Sequence, residues 1–219
     1  MISSLRLLAL SDSAFPSGGF AHSGGLEAHA AFRWVRGAAD LACFLEETTW
    51  QGALHLGPLL REAHRDASLL PELDRGCDTR LTAPVVNRAS RTQGRTFFAT
   101  ASGIFSQPLA ALASVVASLP CCHHAPLYGA TLAALGIAAD QAMLLYLFGQ
   151  ARGVLSAAVR LGLVGPHEGQ AMLDEHGEAL SSAHREAMAR PVEEAASPFP
   201  LLDLRQNFHD AMYARLFLS

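Results

Sequence analysis

The chain has 219 residues, half of them apolar, enough for one sizeable core or two small ones. Net charge is −4, only 16% of residues are charged, and no arginine cluster appears, which argues against a nucleic-acid-binding face. All 16 basic residues are arginine, so a Schiff-base lysine, a lysine-linked pyridoxal cofactor and a Gly-Lys-Ser/Thr phosphate loop are excluded together.

Ala and Leu abound and alternating strand patterns are nearly absent, which predicts an all-α fold. The expected architecture is a single helical-bundle-like domain of about eight to ten helices at 1–190, then a linker and flexible C-terminal tail at 191–219. A first helix is expected at 3–10, interrupted by the Gly-rich loop Phe15-Pro16-Ser17-Gly18-Gly19-Phe20. Ser23 is the expected N-cap of a second helix running to Trp34. A third runs from Asp40 towards His55, and Pro58 should break or kink it. Thr82 should cap the next, with Pro84 in its first turn, ending near Phe105. Pro108 opens a short apolar helix, Pro126 opens another that stops at Gly136, and the most apolar helix covers about 139–163. Gly165-Pro166 marks a stop and restart, followed by one amphipathic helix that Pro191 ends. Residues 191–203 read as an extended linker, and the apolar segment from Leu204 to Ser219 either docks on a partner or packs on its own domain.

The uncharged stretch from Thr96 to Ala139 is broken by Pro108, Pro120, Pro126 and His123-His124, short of the ~20 apolar residues that span a bilayer. No secretion-signal pattern opens the sequence, and the four cysteines make no disulfide framework, so a reducing cytoplasm and no membrane are expected.

Four features invite a chemical reading. Asp12, Ser13, His22 and Ser23 could suggest a hydrolytic triad, but no nucleophile elbow or oxyanion hole accompanies them, and such residues make caps and turns. Gly18-Gly19 and Gly24-Gly25 could cradle an anion, or simply form a tight loop. Cys121-Cys122-His123-His124 carries metal-ligating groups, with Cys121, Cys122 and His123 the candidates, but lacks a second ligand pair at zinc-site spacing. Arg88, Arg91 and Arg95 share one helix face and could engage acidic groups of a partner.

Three segments together resemble one family. The run from Leu7 to Glu27, with Ser11-Asp12-Ser13-Ala14-Phe15-Pro16-Ser17-Gly18-Gly19-Phe20-Ala21-His22-Ser23-Gly24-Gly25 at its centre, closely resembles the opening motif of the UreF urease accessory proteins. Arg88-Ala89-Ser90 with Gln93-Gly94-Arg95 is similar to that family's central motif. His209-Asp210, Tyr213-Ala214-Arg215-Leu216-Phe217 and Ser219 resemble its C-terminal signature. The resemblance implies an all-helical homodimer without catalysis of its own. It implies partnership with a UreD-like protein (UreH in some systems) and a UreG-like GTPase, docking on apo-urease to help deliver nickel. No cofactor is expected to be stably bound, nickel being handled by the complex. The motif positions expected to bind partners are Asp12, Ser17, Gly18, Gly19, His22 and Glu27, then Arg88, Ser90, Gln93 and Gly94, then Tyr213, Arg215 and Phe217. The tail residues are expected to meet the UreD-like partner.

The sequence departs from the family pattern at Gly162-Leu163-Val164-Gly165-Pro166, where Pro-Leu-Gly-Gln is usual after Arg160-Leu161. The cysteines beside His123 are extra, and Asp210 stands where Glu is usual. The alternative is a helical metal-binding or interaction protein unrelated to urease.

Overall fold

A computed structural model describes residues 2–219, and no strand occurs among them. The α-helices are α1 (Ile2–Ser11), α2 (Leu26–Ala31), α3 (Ala38–Gln51), α4 (Gly57–Arg65), α5 (Leu70–Arg80), α6 (Pro84–Ile104), α7 (Ser106–Val116), α8 (His124–Ala134), α9 (Ala139–Arg160), α10 (Pro166–Glu175), α11 (Gly177–Ala189) and α12 (Pro200–Gln206). The fold is all-α, as expected.

The centre is α8, whose eight consecutive residues Ala125–Leu132 are all buried. A helix apolar all round must be enclosed, and α4, α5, α6, α7 and α9 enclose it. Two glycines set the spacing. A Cβ on Gly129 would lie 2.1 Å from the Leu60 carbonyl oxygen, so α4 and α8 approach only because that atom is missing. A Cβ on Gly94 of α6 would lie 2.0 Å from the Cys122 carbonyl oxygen, so the loop before α8 rests on α6 for the same reason.

Several boundaries differ from expectation, each for a local reason. The N-cap position of α2 is Gly25 rather than Ser23, because Gly24 and Gly25 turn left-handed first, at φ +62° and +89°; Ser23 Oγ still accepts from the first-turn amide of Glu27 at 3.3 Å. The helix ends at Ala31 rather than Trp34, because Arg33 turns left-handed and Trp34 N–H donates to the His29 carbonyl at 2.8 Å. The third helix gives way at Gln51 to a π-turn, Gly52–Leu56, and Pro58 stands in the first turn of α4, where a proline is tolerated. Ala83 rather than Thr82 is the N-cap of α6. The amphipathic helix after Pro166 divides at His176, whose Nε2 meets Thr49 Oγ1 at 2.8 Å. α5 has no counterpart among the expected elements. Its buried stripe Leu70, Leu73, Asp74, Cys77 has helical spacing, but an aspartate on the apolar face conceals it.

Residues 191–219 lie against the body of the fold. Ala196 N–H donates to the Leu54 carbonyl, α12 packs on α2 and α6, and Leu202, Gln206, His209, Phe217 and Ser219 are buried. α9 is long and apolar enough to cross a bilayer by length and composition, and 56% of its most apolar window is buried inside the bundle.

Candidate functional site

The three sequence motifs meet at one place, where residues 206–219 lie across the Gly-rich N-terminal motif. Glu27 is the centre of the contact. It is 5% exposed, and its carboxylate accepts from the backbone amides of Leu216 and Phe217 (3.1 Å for Phe217) and from His209 Nε2 at 3.1 Å. Three donors from one segment converge on one buried acid, which satisfies groups that would otherwise be costly to bury. Ser23 donates through both its backbone N–H (2.8 Å) and its hydroxyl (2.7 Å) to the Ser219 carbonyl. Leu218 N–H donates to the Ala21 carbonyl at 2.8 Å, and His22 Nδ1 meets Ser219 Oγ at 2.6 Å.

The flanks of this cradle use aromatic and charged groups. The Arg160 guanidinium lies between the rings of Phe20 and Phe217, 3.9 and 4.1 Å from their centroids. Arg88 Nη2 donates to Asp210 Oδ1 at 2.7 Å, and Arg215 lies 3.6 Å from the same oxygen. Asn207 Oδ1 accepts from Val85 N–H at 3.2 Å, so the tail supplies a cap to α6. The tail's outer side remains apolar and open: Leu204, Phe208, Leu216 and Leu218 are exposed, and Tyr213 stands fully in solvent.

The other motif residues have separate duties. Asp12 Oδ1 accepts from Ala14 N–H and Ser17 Oγ from Gly19 N–H, which are turn contacts with no catalytic partner beside Ser13. Gly18 is left-handed at φ +83°, and a Cβ there would lie 2.8 Å from Thr96 Cγ2. Ser90 is buried, its hydroxyl accepting from His124 N–H and meeting His123 Nδ1 at 3.1 Å. Gln93 lines a half-open cavity of about 420 Å³ that also has Gly18, Gly19, His22, His55 and His124 in its walls. Burial pushes His22 and His55 down to about 4, helped by the charges of His209 and Arg80 respectively. His124, also in the cavity wall, is likewise pushed down to about 4 by burial and then by His22.

The Cys-Cys-His-His run is held by an acid outside it. Asp74, fully buried on α5, accepts from the backbone amides of Cys121 (3.0 Å), Cys122 (3.1 Å) and His123 (2.7 Å). Cys122 is left-handed at φ +63°. Cys121 and His123 converge with Asp78, their ligating atoms all within 4.8 Å of one another, while Cys122 and His124 stand outside that group. The Arg stripe borders it: Arg91 Nη2 donates to Cys121 Sγ at 2.9 Å and lies 3.7 Å from Asp78 Oδ1.

The sequence reading missed Ser23 as a tail-binding residue, and also Arg160, His209 and Asn207. His209 belongs to the C-terminal motif, but nothing local marks it as the partner of an acid 182 positions earlier. Asp74 and Asp78 were missed because α5 itself was missed.

The UreF family model matches residues 35–176. Urease accessory protein F of Arabidopsis thaliana is 34% identical, the match covering 96% of this chain and 90% of the relative. Urease accessory protein F of Oryza sativa subsp. indica is 33% identical over 96% of this chain and 83% of the relative. Urease accessory protein UreF of Mycobacterium tuberculosis is 30% identical over the full length of both chains.

Proposed function

The chain belongs to the UreF family of urease accessory proteins, and on that footing we propose that it is a non-catalytic co-chaperone for nickel insertion into apo-urease. It would scaffold a UreD/UreH-like accessory protein and a UreG-like GTPase, and modulate the GTPase step, working in the cytoplasm as a homodimer. The observation that carries the reading is the two-sided tail. Its inner side is held by Glu27, Ser23 and His22, while its outer side presents Tyr213, Leu216 and Leu218 as an apolar surface with nothing on it. An ordered apolar strip mounted on polar latches has the character of a protein-docking surface.

The roles divide accordingly. The UreD/UreH-like partner takes the outer side of the tail, with Tyr213 as its main anchor. Arg88 and Arg215 flank that strip and orient an acidic partner group through the exposed Asp210 cluster. A second copy of the chain covers the outward row Ile2, Leu5 and Leu8 on α1. Nickel is cargo in this scheme, passed within the complex.

The test is deletion of the protein in a urease-producing cell, with complementation by the wild-type chain and by Tyr213→Asp. Urease should accumulate without nickel in the deletion strain and in the Tyr213→Asp strain. Full nickel content in the deletion strain would end the assignment.

A further inference from the structure

A second site lies beside the tail cradle and does not depend on the urease reading. We propose that Asp78, Cys121 and His123 form a three-ligand site for a borderline-soft divalent transition ion, zinc by preference, whose fourth position opens onto the groove between α5 and α6.

The donor set is one sulfur, one imidazole nitrogen and one carboxylate oxygen, which suits a tetrahedral ion with one open position. The three ligating atoms already lie within 4.8 Å of one another, and His123 Nε2 is 3.1 Å from Asp78 Oδ1. Metal bonds of about 2.0–2.3 Å require ligand atoms roughly 3.5 Å apart, so the set must close by about 1 Å. The loop bearing Cys121 and His123 is fixed in advance by Asp74, which holds its three amides. Asp78 is the adjustable member, being 38% exposed and tethered by Asn87 Nδ2 at 2.9 Å. His123 has the outer partner that metal-bound histidines use, Ser90 Oγ at 3.1 Å from Nδ1.

Arg91 marks where the cation would sit. Its guanidinium reaches Cys121 Sγ and Asp78 Oδ1, and its side chain is 36% exposed on the groove, so it can turn outward. It is a counter-ion standing where a dication would stand. On binding, the Cys121 thiol proton leaves to solvent. The imidazole proton moves from Nε2, which now faces Asp78, to Nδ1, where Ser90 Oγ accepts it. The groove, about 560 Å³ and lined by Asp78, Asn87 and the three arginines Arg88, Arg91 and Arg95, brings solvent to the site at Asp78.

Cobalt(II) is the probe, added to the reduced, metal-free full chain. One equivalent should produce a thiolate-to-cobalt charge-transfer band with intense tetrahedral d–d bands, release about one proton, and be displaced by zinc. Cys121→Ser should abolish the charge-transfer band, and Asp78→Asn should weaken binding at least about tenfold. Cys122→Ser should leave the spectrum intact. Arg91→Gln should tighten binding about tenfold or more, since a positive charge a few ångströms away is removed. That last variant keeps every ligand, so it reads the site even where a ligand variant folds poorly. Absence of the charge-transfer band in the wild-type chain would overturn the proposal, as would a band that survives Cys121→Ser or is lost in Cys122→Ser.

Discussion

The α4–α8 contact and the tail cradle are held together by opposite means. Between α4 and α8 the backbones meet over Gly129, and neither a water nor another peptide segment could replace what is there. In the cradle, Glu27, Ser23 and Ala21 grip mostly backbone amides and a carbonyl of the tail, groups that every polypeptide possesses. The first contact is specified by shape and is permanent. The second is specified by hydrogen-bond count and could be remade with another segment at little net cost.

The contrast is sharpest in substitutions. Gly129→Ala places a methyl against the Leu60 carbonyl, which cannot move without displacing α4. The expected loss is about 3 kcal/mol or more, read as a large drop in the urea midpoint or failure to fold. Near-wild-type stability would mean the two helices are not in such contact. Glu27→Ala comes next. It strands His209 and two tail amides, and should cost about 2–3 kcal/mol. Its particular signature is amide exchange: residues 209–219 should lose protection while α8 keeps its own. Uniform loss across the chain would erase the distinction between body and cradle.

Acid should also separate the regions. His22, His55 and His124 are held down to about 4, below the ordinary 6.5, so the unfolded chain binds protons first as pH falls. Their contribution is present above pH 6.5 and is lost progressively down to about pH 4, on the order of 3 kcal/mol each as an upper figure. Asp203 runs the other way: burial raises it to about 6, so it favours folding at lower pH and gives up that contribution as pH rises from about 4 to 6. Three histidines outweigh one aspartate, so net stability should fall between pH 6.5 and 4, which a series of denaturation curves would reveal. The smallest effect belongs to Arg88→Ala. Its pair with Asp210 is about half exposed on both sides, worth at most about 1 kcal/mol. A larger loss would make the cradle's rim a structural element rather than an adjustable one.

Much of the body was legible in the sequence because its signals are local. Proline and glycine punctuation located α6, α8 and α9 to within a few residues, and their apolar runs predicted burial. α5 escaped because Asp74 and Asp78 look like solvent-facing acids until the Cys121–His123 loop is placed over them. The cradle was legible only as two motifs. Nothing in the run from Leu7 to Glu27 states that its acid binds amides at 216 and 217, since backbone amides leave no mark in a sequence. Gly94 shows the reverse case. As a motif residue it reads as functional, and its position shows that a loop backbone rests directly on it.

The most direct measurement is binding of the purified chain to the UreD/UreH-like partner, comparing wild type with Tyr213→Asp. Tyr213 touches solvent only, so the substitution should leave the melting temperature unchanged. The variant should fold normally and lose partner binding at least about tenfold. Equal binding by the two proteins would contradict the claim that the outer side of the tail is the docking surface.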